Sequence, residues 1–172
     1  MNTITETPFI KKLLVHGPLI ILFISVLNEF DFNYLEIKFF SFNFPYILIF
    51  YWSLKSKESL GYGFIFIAGL FNDVVTGLPI GISSFSYLLI CGFAAYLRNI
   101  TLRPSLIKDW IFFLITVLVV NSLTYLLLVL FFSINLNYQE LFINLIFTFL
   151  LYLFFSFVFQ LYQKLFLGKL YD

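Results

Sequence analysis

Asp73 is the only charged side chain between Gly61 and Leu97, in a stretch that is otherwise apolar or small. Placing a carboxylate inside a hydrophobic span costs about 2.5–3.5 kcal/mol on insertion scales, so some interaction must offset it. Asp73 also belongs to a regular series, Gly69, Asp73, Gly77 and Gly81, with one member at every fourth position. On a helix that spacing lines residues up on one face, where small side chains let a neighbouring backbone approach. Three chemistries are open to such a carboxylate. It can hydrogen-bond a neighbouring helix, with Asn72, Thr76, Ser83, Ser84 and Asn121 available as partners. It can line a solute or proton path, or it can reach water at the outer surface. A proton path normally uses a relay of ionisable groups, and the apolar core offers no second one, which favours packing.

Other reactive residue types stand alone. His16 is the single histidine, with no acid or cysteine at ligand spacing, so no metal site is expected. Ser83 and Ser84 have neither a GxSxG elbow nor a nearby base. Gly61 and Gly63 are not followed by the lysine of a phosphate loop. Cys91 is the only cysteine and lies in an apolar run, which excludes a disulfide framework or a CxxC redox pair. No catalytic residue and no cofactor is implied. Asn121, flanked by Ser122 and Thr124, is the other polar residue deep in an apolar run. Its amide is expected to bond across a helix interface, worth about 0.6–2 kcal/mol in a membrane. The Gly61, Gly63 and Gly69 set and the Gly77–Gly81 pair are expected to be packing notches.

The elements that must carry these residues follow from composition. The chain is 62% hydrophobic and 11% charged over 172 residues, more apolar surface than a soluble domain could cover. The expectation is one all-α polytopic membrane domain over residues 1–172, with no separate soluble part. Breaks in hydrophobicity predict six transmembrane helices: Leu13–Leu27, Phe39–Leu54, Leu60–Gly77, Pro79–Leu97, Trp110–Phe132 and Leu141–Leu165. Gly77-Leu78-Pro79 predicts a tight turn between the third and fourth, since proline cannot continue the hydrogen-bond ladder. The first two are short for a bilayer, so tilt or local thinning is expected there. Lys11 and Lys12 precede the first run as in a signal peptide, but no small-x-small cleavage site follows, and a retained span is expected.

Orientation comes from the basic residues. With the N-terminus cytoplasmic and six alternating helices, nine of the ten Lys and Arg residues fall inside, and only Lys38 falls outside. The outer loops then carry Glu29, Asp31, Glu36 and Glu140. Trp52 and Trp110 fall at the predicted cytoplasmic interface and are expected to anchor it, with Tyr138 on the outer side. Both termini are therefore expected inside. The Arg98–Asp109 connection, with Pro104, reads as a topological anchor.

The combination is more specific than any one spacing. Pro45 opens a helix that ends in Tyr51-Trp52, a short basic turn follows, and then come Gly63-Phe64 and Gly69-x-x-x-Asp73-x-x-x-Gly77-x-x-x-Gly81. Over Pro45–Leu97 this order resembles the rod shape-determining protein MreD family. The resemblance implies a non-enzymatic component of the bacterial inner membrane, part of the cell-elongation machinery that maintains rod shape and supports lateral peptidoglycan synthesis. It implies MreC as the main partner, with RodA, a class B penicillin-binding protein and the MreB assembly as neighbours, and no nucleic acid. It also implies a fold similar to the substrate-binding subunits of energy-coupling-factor transporters. That fold type keeps a second class open, a small-solute or vitamin-capture subunit, because fold does not settle function. Such a carrier would gather polar groups around one cavity; Asp73, Asn121, Ser83, Ser84 and Tyr87 are the candidates.

Overall fold

The computed structural model describes residues 16–27, 42–55, 60–101, 105–133 and 138–164. Among them are six helices and no strand: α1 (Gly17–Leu27), α2 (Phe44–Lys55), α3 (Tyr62–Thr76), α4 (Ile82–Ile100), α5 (Leu106–Phe132) and α6 (Tyr138–Tyr162). The expected N-terminal lysines, the acidic first outer loop and the basic Lys57 and Arg103 lie outside the described residues.

Helix α2 forms the centre. Ten of its twelve residues are buried, from Phe44 through Leu54, as expected for a helix that is apolar all round. It packs against α1, α4 and α6, while α4 packs against α3 and α5. Its start is set by Asn43, whose side-chain oxygen accepts the Tyr46 N–H at 3.3 Å. Pro45 sits in the first turn, where its missing N–H costs nothing. Aromatic edges bind this helix to its neighbours. The Phe50 ring meets Phe113 of α5 at 5.2 Å and Tyr152 of α6 at 5.8 Å, and Tyr51 meets Phe159 at 5.2 Å.

Two of the six helices are long and apolar enough to cross a membrane by length and composition, α5 and α6. Their 27 and 25 residues correspond to about 40 and 38 Å of rise, beyond the roughly 30 Å of a hydrocarbon core. The described parts of α1, α2 and α3 run for 11, 12 and 15 residues. Large apolar side chains on the outer faces of α5 and α6 are exposed, Leu130 at 68% and Phe154 at 61% among them. Exposure of that kind over whole helix faces is tolerable only against lipid or another apolar partner.

The boundaries correct the sequence reading at several helix ends; α2 begins at Phe44 rather than Phe39, and α4 at Ile82 rather than Pro79, which belongs to the turn. Helix α4 continues three residues past the expected end at Leu97, to Ile100. Helix α5 begins at Leu106, four residues before Trp110, so Lys108 and Asp109 are helical. Charge made that segment look like loop, but an acidic residue in a first helical turn is favoured by the helix dipole. Helix α6 begins at Tyr138 with Glu140 in its first turn, for the same reason.

Candidate functional site

The turn between α3 and α4 is where the spaced series sits, and it is not one helical face. Helix α3 ends at Thr76, so Gly77 and Gly81 flank the turn rather than continuing the stripe. Both adopt left-handed backbone, φ 69° and 103°, which glycine tolerates without a Cβ clash. A methyl at either would meet nothing within 4 Å, so neither is the expected packing notch. Gly63 is equally open, whereas Gly61 faces only the Phe64 ring. Of that expected set, only Gly69 acts as the notch: a methyl there would lie 2.5 Å from the backbone nitrogen of Ser84 on α4.

Asp73 is fully buried and joins the two helices. Its backbone carbonyl accepts the N–H groups of Gly77 and Leu78, the latter at 3.0 Å, closing the last turn of α3. Its carboxylate accepts the Gly81 N–H through Oδ2 at 2.7 Å and the Ser83 N–H through Oδ1 at 2.8 Å. These are amides of the first turn of α4, which have no intrahelical acceptor and carry the positive end of the helix dipole. One residue thus terminates one helix and caps the next. The partners are backbone amides, not the side-chain groups the sequence had suggested. Around this pair, Asn72 Nδ2 donates to Ser83 Oγ at 2.9 Å, and Ser84 Oγ donates to the Phe66 carbonyl at 2.9 Å.

Beside the turn lies a cavity of about 570 Å³. It is bounded by the start of α2, the α3–α4 turn, the ends of α1 and α5, and the start of α6, so adjacent helices alternate in direction. Asn121 lies on it and makes no hydrogen bond among the described residues, although it is only 7% exposed. The cross-helix bond expected of it belongs instead to Thr124, one turn along, which shares a 2.7 Å hydrogen bond with Ser86 of α4. Ser83 and Tyr87 also line this cavity, whereas Asp73 and Ser84 do not.

The opposite end holds a second polar lock that sequence reasoning missed. Lys55 Nζ pairs with Asp109 Oδ2 at 2.9 Å, the acid side chain only 3% exposed. Arg98 reaches back from α4 to the Ser53 carbonyl of α2 at 2.6 Å. Lone positive charges in a loop read as topology signals, but Asp109, an acid at the start of an apolar run, was the available clue to a partner. Lys55→Met is expected to lower stability by roughly 1–3 kcal/mol, because it leaves a buried carboxylate unpaired. Thermal unfolding midpoints in detergent would show it, with much of the loss recovered when Asp109→Leu is added; an unchanged midpoint for the single variant would remove the lock from consideration.

The two tryptophans diverge from their expected anchoring. Trp52 is 1% exposed, enclosed by Phe159 and Tyr162 at 6.2 and 6.0 Å, so it packs the bundle interior rather than facing headgroups. The ten buried residues of α2 leave it no outward face. Trp110 is half-buried; its ring stacks on Phe149 at 4.4 Å and its Nε1–H donates to the Phe149 carbonyl at 3.0 Å, pinning α5 to α6.

This architecture is helices locked to one another by buried polar contacts at both ends. The family model described as rod shape-determining protein MreD matches residues 10–167, nearly the whole chain. The chain belongs to the MreD family. No curated protein and no solved structure matches it. Membership makes it a membrane protein with a part in determining rod shape, in a family of structural components that are generally non-enzymatic. The match extends far beyond Pro45–Leu97, so the hydropathy of the flanking helices belongs to the family pattern too.

Proposed function

We propose that this MreD family member is an inner-membrane scaffold of the cell-elongation complex, supporting lateral peptidoglycan synthesis through contacts with the single span of MreC. RodA, a class B penicillin-binding protein and the MreB assembly are its wider neighbours. All six helices cross the bilayer with both ends cytoplasmic, in an arrangement like the substrate-binding subunits of energy-coupling-factor transporters. The family match over residues 10–167 carries the reading. The α3–α4 hairpin supports it: Gly69 and Asp73 fix the pair rigidly, so the outer face of the pair, with exposed Phe64, Phe71 and Phe85, is held in one shape for a partner helix. The family match also favours this role over solute capture.

The test is depletion of the chain in its host followed by rescue. Depleted cells are expected to round up, and a plasmid copy is expected to restore rod shape and to co-purify MreC. The rescuing copies carry single cysteines, Lys108→Cys or Tyr138→Cys, in a Cys91→Ser background. A membrane-impermeant maleimide applied to whole cells is expected to label the Tyr138 variant only. Rod-shaped growth without the protein would end the scaffold proposal, and outside labelling of the Lys108 variant would invert the topology.

A further inference from the structure

We infer that the small basic cavity at the Lys55–Arg98 end of the bundle holds the phosphate of a membrane-lipid headgroup. The cavity has a volume of about 250 Å³ and is lined by Leu54, Lys55, Arg98, Thr101 and Asp109. Sites for whole small molecules run to roughly 300–1,000 Å³, so this one suits a phosphate with its first few carbons. It gathers the last residue of α2, the last turn of α4 and the first turn of α5. Helix ends of a spanning bundle lie at the headgroup layer, where phosphate is the prevailing anion. Exposed Ile100 and Ile107 lie close in sequence to the lining Thr101 and Asp109, and offer apolar surface to the start of an acyl chain.

Two observations set the charge and the geometry of the occupant. The first is that the lining is net positive. Lys55 Nζ meets Asp109 Oδ2 at 2.9 Å, which balances that pair, and Arg98 adds one positive charge. The chain on either side keeps the sign. Residues 55–59 and 98–109 hold Lys55, Lys57, Arg98, Arg103 and Lys108 against Glu58 and Asp109, five basic residues to two acidic, a surplus of three. Basic pockets between transmembrane helices are where anionic headgroups collect. The second observation is how Arg98 is held. Its Nη1 donates to the Ser53 carbonyl at 2.6 Å, which takes one of five guanidinium N–H donors and fixes the side chain. A pinned guanidinium presents a planar fork that matches phosphate oxygens, and little further entropy is lost on binding. The Lys55 ammonium and the half-buried Thr101 hydroxyl stand on the same cavity as further donors. Asp109 would repel an anion if bare, but it is bonded to Lys55 and only 3% exposed. One negative charge balances the lining, so a phosphodiester fits better than a doubly charged monoester. Helix dipoles account for basic residues at the ends of α2 and α4, but not for the space left between them. The inference rests on the membrane-spanning reading and is independent of the contact with MreC.

The experiment is native mass spectrometry of the full chain released from detergent, titrated with phosphatidylglycerol, phosphatidylcholine, diacylglycerol and inorganic phosphate. A single phosphatidylglycerol adduct is expected, bound about fivefold or more tighter than phosphatidylcholine, with diacylglycerol weaker still. Arg98→Gln is expected to weaken that adduct about fivefold or more, the size of a lost charge-assisted hydrogen bond. Thr101→Val, which keeps the side-chain shape, serves should Arg98→Gln misfold, and is expected to weaken it by roughly threefold. Lys108→Gln removes an exposed charge that does not line the cavity and is expected to change the adduct by less than about twofold. The inference is overturned if the lipids bind alike, or if Lys108→Gln weakens the adduct as much as Arg98→Gln, which would make the attraction a diffuse property of the surface. It is overturned equally if the folded cavity variants bind as the unmodified chain does. Inorganic phosphate that binds as tightly as phosphatidylglycerol and competes with it would assign the cavity to a soluble phosphate instead of a lipid. Loss of lipid selectivity while Tyr138→Cys still labels from outside would remove this site and leave the membrane topology standing.

Discussion

Asp73→Leu is expected to lower the unfolding free energy of the purified protein by about 3 kcal/mol and to abolish rescue of rod shape. The carboxylate makes two charge-assisted hydrogen bonds of 2.7 and 2.8 Å to amides that have no other acceptor. Each such bond is worth about 1.5–3 kcal/mol, and the leucine also strands both donors, at a site where Ser83 is buried. Part of that loss is offset because a buried charge no longer needs desolvation, which sets the total nearer 3 than 6 kcal/mol. Asp73→Asn is the informative comparison. Its single oxygen can replace one acceptor, but its NH₂ would face a second N–H, so a loss of about 1–2 kcal/mol is expected rather than none. Detergent thermal unfolding of the three proteins, read beside cell shape and MreC co-purification, orders them. Equal stability of Asp73→Leu and the unmodified protein would mean that the α4 cap contributes nothing, and the scaffold argument would lose its centre.

How far the sequence led is best judged at that residue. A lone carboxylate in an apolar run announced a packing role, because insertion cost forces a partner on it. Its partners could not be read, since a fourfold spacing looks the same whether a helix continues or breaks. The break at Gly77-Leu78-Pro79 was legible from proline and glycine, and once α3 stops at Thr76, residues 77 and 81 leave the face that Asp73 occupies. The unpaired amides of a helix start are invisible in any pattern of side chains. Helix order was legible from hydropathy, as each of the six apolar runs overlaps one of the helices among the described residues. Helix depth was not, because hydropathy reports apolar character and cannot distinguish a lipid-facing phenylalanine from one inside. Trp52 shows the limit. Position near a basic turn suggested the headgroup region, while its burial depends on α6 lying across α2. Asp109 shows the converse, a residue assigned to a loop because it was charged, and drawn into the first turn of α5 by dipole and lysine together.

The polar contacts divide the labour between the two ends of the bundle. At the α3–α4 turn a buried acid is matched to backbone donors, a fixed geometry that tolerates no rotation of either helix. At the other end Lys55 and Arg98 reach across with long flexible side chains, the lysine 23% exposed. A long chain can follow small movements of its partner, whereas a cap cannot. The hairpin is therefore the rigid part of the molecule, and substitutions there should matter more to assembly than substitutions at the Lys55 end.

Substitutions at three glycines separate the reasons for that rigidity. Gly69→Ala is expected to cost about 2–4 kcal/mol. The new methyl would sit 2.5 Å from the Ser84 nitrogen and 2.8 Å from its Oγ, and backbone atoms cannot swing aside. Relief requires α3 and α4 to part, which stretches the Ser84–Phe66 bond and both Asp73 contacts. Gly77→Ala meets no neighbour, and only its φ of 69° opposes a side chain, so a loss of roughly 1–2 kcal/mol is expected. Gly63→Ala lies within α3, meets nothing within 4 Å, and should be neutral or stabilising by about 0.5–1 kcal/mol through helix propensity. Unfolding midpoints for the three variants in one detergent give the order directly. If Gly69→Ala melts with Gly63→Ala, the helices have room to spare, and close approach at Gly69 is not what holds the α3–α4 surface in shape. If it melts lowest and also fails to co-purify MreC while Gly77→Ala succeeds, then the separation of the two helices, more than the turn joining them, is what the partner reads.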